Sequence, residues 1–360
     1  MASLTAKVVG AGSIGNHLAH ALRAFDFDVV MVDTDLRALD RTKTIIYPQR
    51  YGAFDEAITL ALPQELGSES FDLCVIGTPP DTHLAIATEE LEYSHRALLI
   101  EKPLAPRGAA NLREFAEVAG ASGTRVMVAY NQRLKHNTVK FMKLAEEENL
   151  GPLESISARM KEDWTGILKA HPWLTDATQS YLGHMGRGGG ALYEHSHATD
   201  FVLFIAGALG HGRPDKVRAE LDVVIHETGQ YDREARLAIT TTTGLNLDVV
   251  QDLFTWPAEK SLTAEFVGAK LTWEMHSDHD LVRLAEPGKQ DRHITFPKTR
   301  PDDFLPEIAH VMELLGPGSD RVSPLDLAES LHTSLTLEAA VESHELGDWV
   351  PVRKLSSADA

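Results

Sequence analysis

Three short segments gather residue types able to move protons or hold an anion. GAGSIG spaces Gly10, Gly12 and Gly15 as G-x-G-x-x-G. EKP sets Glu101 and Lys102 directly behind the apolar run ALLI. GRGGGALYEHSHATD, from Gly186 to Asp200, puts three consecutive glycines before Glu194, His195, His197 and Asp200. An imidazole exchanges protons near neutral pH, and a neighbouring carboxylate can hold and tune it. A lysine behind an apolar strand is partly desolvated, which lowers its pKa and eases proton exchange. A run of glycines costs backbone entropy, so its expected purpose is to let the backbone pass close under a ligand.

A helix beginning near Ala191 would put Glu194 and His197 on one face, with Asp200 and Phe201 one turn further on. His195 would be turned away from Glu194 by about a hundred degrees. On this reading His197 exchanges the proton and Glu194 serves catalysis or substrate binding. Asp200 orients or caps, and His195 is structural. No H-E-x-x-H or close ligand spacing accompanies these groups, so no metal is expected.

The elements that position these groups begin at the N-terminus. Residues 4–9 form a strand that runs straight into GAGSIG, followed by the helical NHLAHALRAF and a second strand, VVMVD, ending at Asp33. In that order Gly10 makes the tight turn, Gly12 admits a pyrophosphate to the backbone, and Gly15 packs the helix on the strand. The helix start at Ser13 and Ile14 offers free N–H groups to phosphate. Asp33 accepts from the adenosine ribose. An acid at 33, followed by Thr34 and Asp35 with no arginine between, favours NAD over NADP, although Arg37 and Arg41 lie close by.

The alternation continues with strand 71–77, a helix from Asp81, strand ALLIEKP, a helix from Arg107 and strand RVMVAY at 125–130. Repeated βα units imply a doubly wound parallel sheet whose ligands bind at the strands' carboxyl ends. Those ends carry Thr78, Pro79 and Pro80 with His83 nearby, then Glu101 and Lys102, then Asn131 and Arg133.

The chain has 360 residues, enough for two domains, and its formal net charge of −19 argues against nucleic acid or an anionic membrane as partner. The single cysteine, Cys74, lies in an apolar run and is expected to be an inert buried thiol. With no signal peptide and no membrane-length apolar run, a cytoplasmic location is expected.

GAGSIG, TPPDTH, EKPL and the glycine-rich segment ending in H-x-x-D together resemble the Gfo/Idh/MocA oxidoreductase family, over nearly the whole chain. The glutamate three residues before His197 is similar to the branch with a G-G-G-x-L-x-E-x-S-H-x-x-D motif. The resemblance implies an N-terminal Rossmann domain (1–130) and a C-terminal open, mainly antiparallel sheet (131–360) with helices on one face, for substrate and oligomer contacts. It implies that Lys102 lies beside the nicotinamide and the reacting carbon, and that the Lys102–Pro103 bond is cis. It places Asn131 and Arg133 near substrate or nicotinamide.

The second half shows the alternation of half-covered strands in RLAITTT, LNLDVVQDL, LTAEFVG and KLTWEM, with a tight hairpin at 267–269. Residues 324–343 are helical and are expected to pack back on the first domain. An exposed sheet face is expected to pair two or four subunits. Residues 164–186 form a loop beside the site, where Trp164, His171 and Tyr181 could meet a sugar. The expected function is NAD-dependent hydride transfer at a secondary alcohol of a sugar, polyol or sugar derivative. Two other readings stay open: glycoside cleavage or isomerisation by transient oxidation, and a nucleotide-binding regulator with an idle site.

Overall fold

The computed structural model describes residues 3–108, 111–169, 174–316 and 321–354. The chain divides into two compact units. One comprises Met1–Ala105, Ala109–Asn131 and Pro301–Leu327, the other Pro106–Gly108, Gln132–Arg300 and Ala328–Ala360.

The first unit is built on six parallel strands: β1 (Thr5–Val9), β2 (Asp28–Val32), β3 (Ile58–Ala61), β4 (Leu73–Ile76), β5 (Ala97–Ile100) and β6 (Arg125–Val128). Their order is β3-β2-β1-β4-β5-β6, the doubly wound order of dinucleotide-binding sheets. LCVI and ALLI in β4 and β5 are apolar throughout because helices cover both faces of such a sheet, and all eight residues are buried. The edge strand β3, ITLA, escapes sequence reading: it has four residues and no run of alternation around it. Between β2 and β3 the chain winds through Leu36–Arg41, a π-helical turn at Thr42–Ile46 and the short helix Tyr47–Tyr51. Residues 301–327 return to this unit, where Val128 N–H donates to Leu325 C=O at 2.9 Å and Arg125 pairs with Asp326.

The second unit carries a nine-stranded sheet. Its strands are β7 (Leu153–Lys161), β8 (Pro214–Ile225), β9 (Gln230–Thr241), β10 (Asn246–Asp252), β11 (Glu259–Phe266), β12 (Ala269–Met275), β13 (His279–Ala285), β14 (Arg292–Pro297) and β15 (Val350–Pro351). The order is β14-β13-β12-β11-β7-β10-β9-β8-β15, antiparallel except where β7 meets β10. Register makes the two faces differ. One cross-strand row runs Val282, Trp273, Leu262, Ala158, Val249, Leu237, Ala219, and every member is buried. The next row runs Arg283, Thr272, Thr263, Ser157, Asp248, Ala238, Arg218. A slip that brought this second row into the core would bury a polar group in every strand but β9, which holds the register.

Helices lie over the apolar face. Phe201, on the helix His197–Ala208, meets Trp273 edge-on at 4.9 Å, and the Trp273 indole N–H donates to Thr138 Oγ1. The last helix spans Leu327–Leu346 and joins this sheet at β8, where Ala219 N–H donates to Ser343 Oγ. The hairpin expected at 267–269 forms between Phe266 and Ala269.

Candidate functional site

At the glycine-rich loop each glycine has its own physical reason. Gly10 sits at φ +105°, and a Cβ there would lie 2.8 Å from Gly77 C=O. A Cβ on Gly15 would lie 1.9 Å from Gly10 C=O, so only glycine lets the helix approach the strand. A Cβ on Gly12 meets nothing within 4 Å; the space beside it is open. Gly12 caps the helix Ser13–Ala24 without a side-chain hydrogen bond, which leaves first-turn N–H groups for an anion.

Asp33 follows β2, where its carboxylate accepts Ala11 N–H at 2.8 Å and Asp35 N–H at 2.8 Å. Each oxygen keeps a lone pair for a further donor. Thr34 beside it is exposed. Arg37, the nearest arginine in sequence, is turned to Asp35, and its side chain is 88% exposed. Backbone donors with an open approach, beside a fixed carboxylate, suit a dinucleotide's pyrophosphate and ribose.

At the rim, Thr78 Oγ1 and Thr82 Oγ1 hydrogen-bond at 2.7 Å, and Pro79 accepts from Thr82 Oγ1. Pro80 opens a 3₁₀ turn. His83, placed in the cofactor set by sequence, is wholly buried, with Nδ1 3.0 Å from Pro103 C=O and Nε2 2.8 Å from Thr78 C=O. It therefore braces two rim loops from behind instead of facing a ligand. Burial pushes its pKa down, against the pull of the two carbonyls. The brace ends on the segment that carries Lys102, whose bond to Pro103 is cis. Glu101 is buried and accepts Lys102 N–H at 3.1 Å, Lys102 is half-buried, and Asn131 opens a 3₁₀ turn behind β6.

In the second unit the glycine cluster differs from expectation. A Cβ on Gly189 would lie 2.2 Å from the carbonyls of Tyr181 and Leu182. On Gly190, at φ +86°, it would lie 2.1 Å from Asp232 Oδ1. Gly189 and Gly190 are there for protein packing: the chain passes close under its own loop and against a buried carboxylate from β9. Asp232 Oδ2 accepts Leu192 N–H at 2.7 Å, at the start of the helix Gly190–Glu194. From β10, Gln251 Nε2 donates to the Ala191 and Leu192 carbonyls, and its Oε1 accepts from Thr199 Oγ1. Sequence reading missed both residues because each is one polar residue in an alternating strand, with nothing local to mark it.

The helix expected from Ala191 through Phe201 is interrupted. Gly190–Glu194 closes at His195, and a second helix opens at His197. Glu194 and His197 thus flank a break and do not share one helical face. Tyr181 Oη donates to Glu194 Oε2 at 3.1 Å, bringing two of the sequence-selected residues together. Asp200 is buried in a bidentate pair with Arg133 and accepts from Thr333 Oγ1 at 2.8 Å. Arg133, expected near substrate, is likewise buried, with its guanidinium over the Phe204 ring. Trp164 is 8% exposed and packs against Tyr231, ring centres 5.0 Å apart. His171 lies outside the described residues.

Among the described residues one group has metal-ligand chemistry: Cys74, Glu90 and His95 in the first unit, all buried. Lys7 Nζ donates to both Glu90 oxygens, at 2.7 and 2.9 Å, and His95 Nε2 and the Cys74 thiol contact the same carboxylate. His95 Nδ1 accepts Phe71 N–H at 3.0 Å, which leaves Nε2 to donate to Glu90. The cluster is a satisfied ion-pair network with an ammonium where a cation would sit. Burial and the Glu90 charge hold the Cys74 pKa well up, which keeps it a thiol.

Residues 4–130 match the family model for the Gfo/Idh/MocA oxidoreductases, described as having an NAD-binding Rossmann fold. Over these residues the chain is similar to that family. A comparison of the sequence with curated proteins found no match. Among solved structures, levoglucosan dehydrogenase in complex with NADH and levoglucosan is similar at 18% identity. It covers 98% of this chain and 100% of its own, with a TM-score of 0.79. An oxidoreductase domain protein from Kribbella flavida gives the same figures. An oxidoreductase from Agrobacterium radiobacter, in complex with NAD+, L-tartaric acid and magnesium, is 16% identical over 98% of this chain and 99% of its own, at a TM-score of 0.76. At such identities the likeness is one of fold. No described helix is long and apolar enough to cross a membrane.

Proposed function

We propose that the protein is an NAD-dependent dehydrogenase that moves a hydride between nicotinamide and a secondary alcohol of a sugar, polyol or sugar derivative. The observation that carries this reading is the glycine-rich loop, with its open face at Gly12 and its fixed Asp33 carboxylate, inside the region that matches the oxidoreductase family. The sugar class is supported by levoglucosan dehydrogenase, whose solved complexes hold levoglucosan or L-sorbose.

Bound nicotinamide would supply the hydride acceptor. In this reading Lys102 donates a hydrogen bond from Nζ to the substrate oxygen and lowers the energy of the alkoxide that forms there. His197 takes the alcohol proton, as an imidazole can near neutral pH. Glu194, steadied by the Tyr181 hydroxyl, holds a substrate hydroxyl or orients the imidazole. Asp200 and Arg133 position the helix that carries His197. The polar row through Thr263, Ser157 and Asp248 is the surface proposed for dimer or tetramer contact, to be tested by light scattering.

The test is a screen of sugars, inositols and sugar acids with NAD and with NADP, read at the reduced-nicotinamide absorbance. A substrate that reduces NAD supports the reading. Failure of every compound, with NAD bound and the protein folded, would leave transient oxidation without net redox change or a nucleotide-binding role.

A further inference from the structure

We propose that Arg50 is a positioning residue that acts through Ser13 and sets a fixed positive charge one shell behind the pyrophosphate position; the inference rests on the NAD reading above. The short helix Tyr47–Tyr51 lies against the helix that starts at the glycine-rich loop. Tyr51 fixes the contact: its ring stacks on His20, with centres 3.8 Å apart and planes 7° apart, and its hydroxyl meets His17 Nδ1 at 2.7 Å. From this docked position Arg50 Nη1 donates to Ser13 C=O at 3.1 Å and Nη2 to Ser13 Oγ at 2.9 Å.

Ser13 is the first residue of the helix whose free N–H groups face the open side of the loop. Its hydroxyl oxygen accepts from Arg50, so its own O–H proton is directed elsewhere and is strengthened as a donor by the charge behind it. An anion at the helix start therefore meets backbone N–H groups, a polarised hydroxyl and, one shell behind, a guanidinium. In a protein of net charge −19 that cation offsets a field that otherwise repels a pyrophosphate. A plain helix–helix tie would not need a guanidinium on the first-turn serine. The sequence alone did not mark Arg50, because it is separated from Ser13 by 37 positions that include strand β2.

Two ligands separate the roles: ADP-ribose, which carries the pyrophosphate, measured by calorimetry, and adenosine, which lacks it, measured by ligand-observed NMR. Arg50→Ala should weaken ADP-ribose about tenfold, from loss of the charge that polarises the Ser13 donor, and flatten its salt dependence. Adenosine should change by less than about twofold. Arg50→Lys should recover part of the ADP-ribose affinity. Arg50→Gln, which keeps a donor for Ser13 without the charge, should behave like the alanine variant and covers the case in which alanine does not fold. Unchanged ADP-ribose affinity in the folded variants, or equal weakening of both ligands, would overturn the assignment. A wild-type protein that binds neither ligand would instead remove the NAD reading, and this inference with it.

Discussion

Asp232 gives the most quantitative handle on the glycine cluster. Its carboxyl is buried against Gly190, and burial pushes its pKa from an ordinary 3.8 up to about 7, even though the N–H groups of Leu192, Asp232 and Ala191 pull it down. The raised value means that the fold favours the neutral acid. Between about pH 4 and pH 7 the folded protein therefore binds more protons than the unfolded chain. The linkage slope is negative in that window: stability is highest below the unfolded value, falls as pH rises towards 7, and is flat above it. The full displacement corresponds to about 4 kcal/mol, of which about 2.5 kcal/mol falls between pH 5 and 8. Asp232→Asn keeps the shape and an acceptor for Leu192 N–H but does not titrate. Relative to wild type, it should gain about 2.5 kcal/mol between those pH values, or about 5–10 °C in the melting temperature of a unit this size. Calorimetric melting of both proteins at pH 5 and pH 8 measures this directly, because other titrating groups cancel in the difference. A melting-temperature gap that is the same at both pH values would refute the argument.

Further outcomes follow from the same geometry. Lys102→Ala should lower hydride transfer by about 10²–10⁴ while leaving NADH binding near wild type; turnover within a fewfold of wild type would remove Lys102 from the mechanism. Asp33→Ala should weaken NAD by about tenfold or more, from the loss of ribose hydrogen bonds to a charged acceptor. It also releases the N–H groups of Ala11 and Asp35, which affects both dinucleotides, so the informative readout is the NAD-to-NADP affinity ratio, and an unchanged ratio counts against the assignment. Gly190→Ala should cost about 2–4 kcal/mol, because the added methyl meets Asp232 at a left-handed backbone. Gly12→Ala should melt with wild type yet bind ADP-ribose more weakly, and equal melting losses in the two glycine variants would contradict the packing seen here.

The first unit was legible because its signals are local. Strands such as LCVI declare burial on both faces by composition alone, and the glycine spacing, helix and terminal Asp33 follow within about thirty residues. What escaped there was short or spatial. ITLA is too brief to show a period, and the brace from His83 to Pro103 C=O crosses twenty residues and strand β5. In the second unit β7, with the pattern LESISARMK, alternates small polar residues with modest apolar ones, a weak signature until its partners β10 and β11 supply the register. Arg133 looked available to a ligand, and Asp200 was expected only to orient or cap. Their pairing spans sixty-seven positions, and only the fold shows that they bury each other.

The glycines make the physical distinction general. Gly15, Gly189 and Gly190 are required because a Cβ would strike the protein's own carbonyls or carboxylate, within 2.2 Å in each case. Gly12 is different: its backbone is ordinary and a Cβ would meet open space. A glycine that the protein itself does not need, at the start of a helix without a side-chain cap, leaves room for something that is not protein. A glycine run read from sequence cannot separate these two causes, since both appear as the same missing side chain. At Gly189 and Gly190 the packing cause holds, and at Gly12 the open approach remains. The dinucleotide reading therefore rests on the loop behind β1, and the glycine run supports it only by fixing the segment from Glu194 to His197.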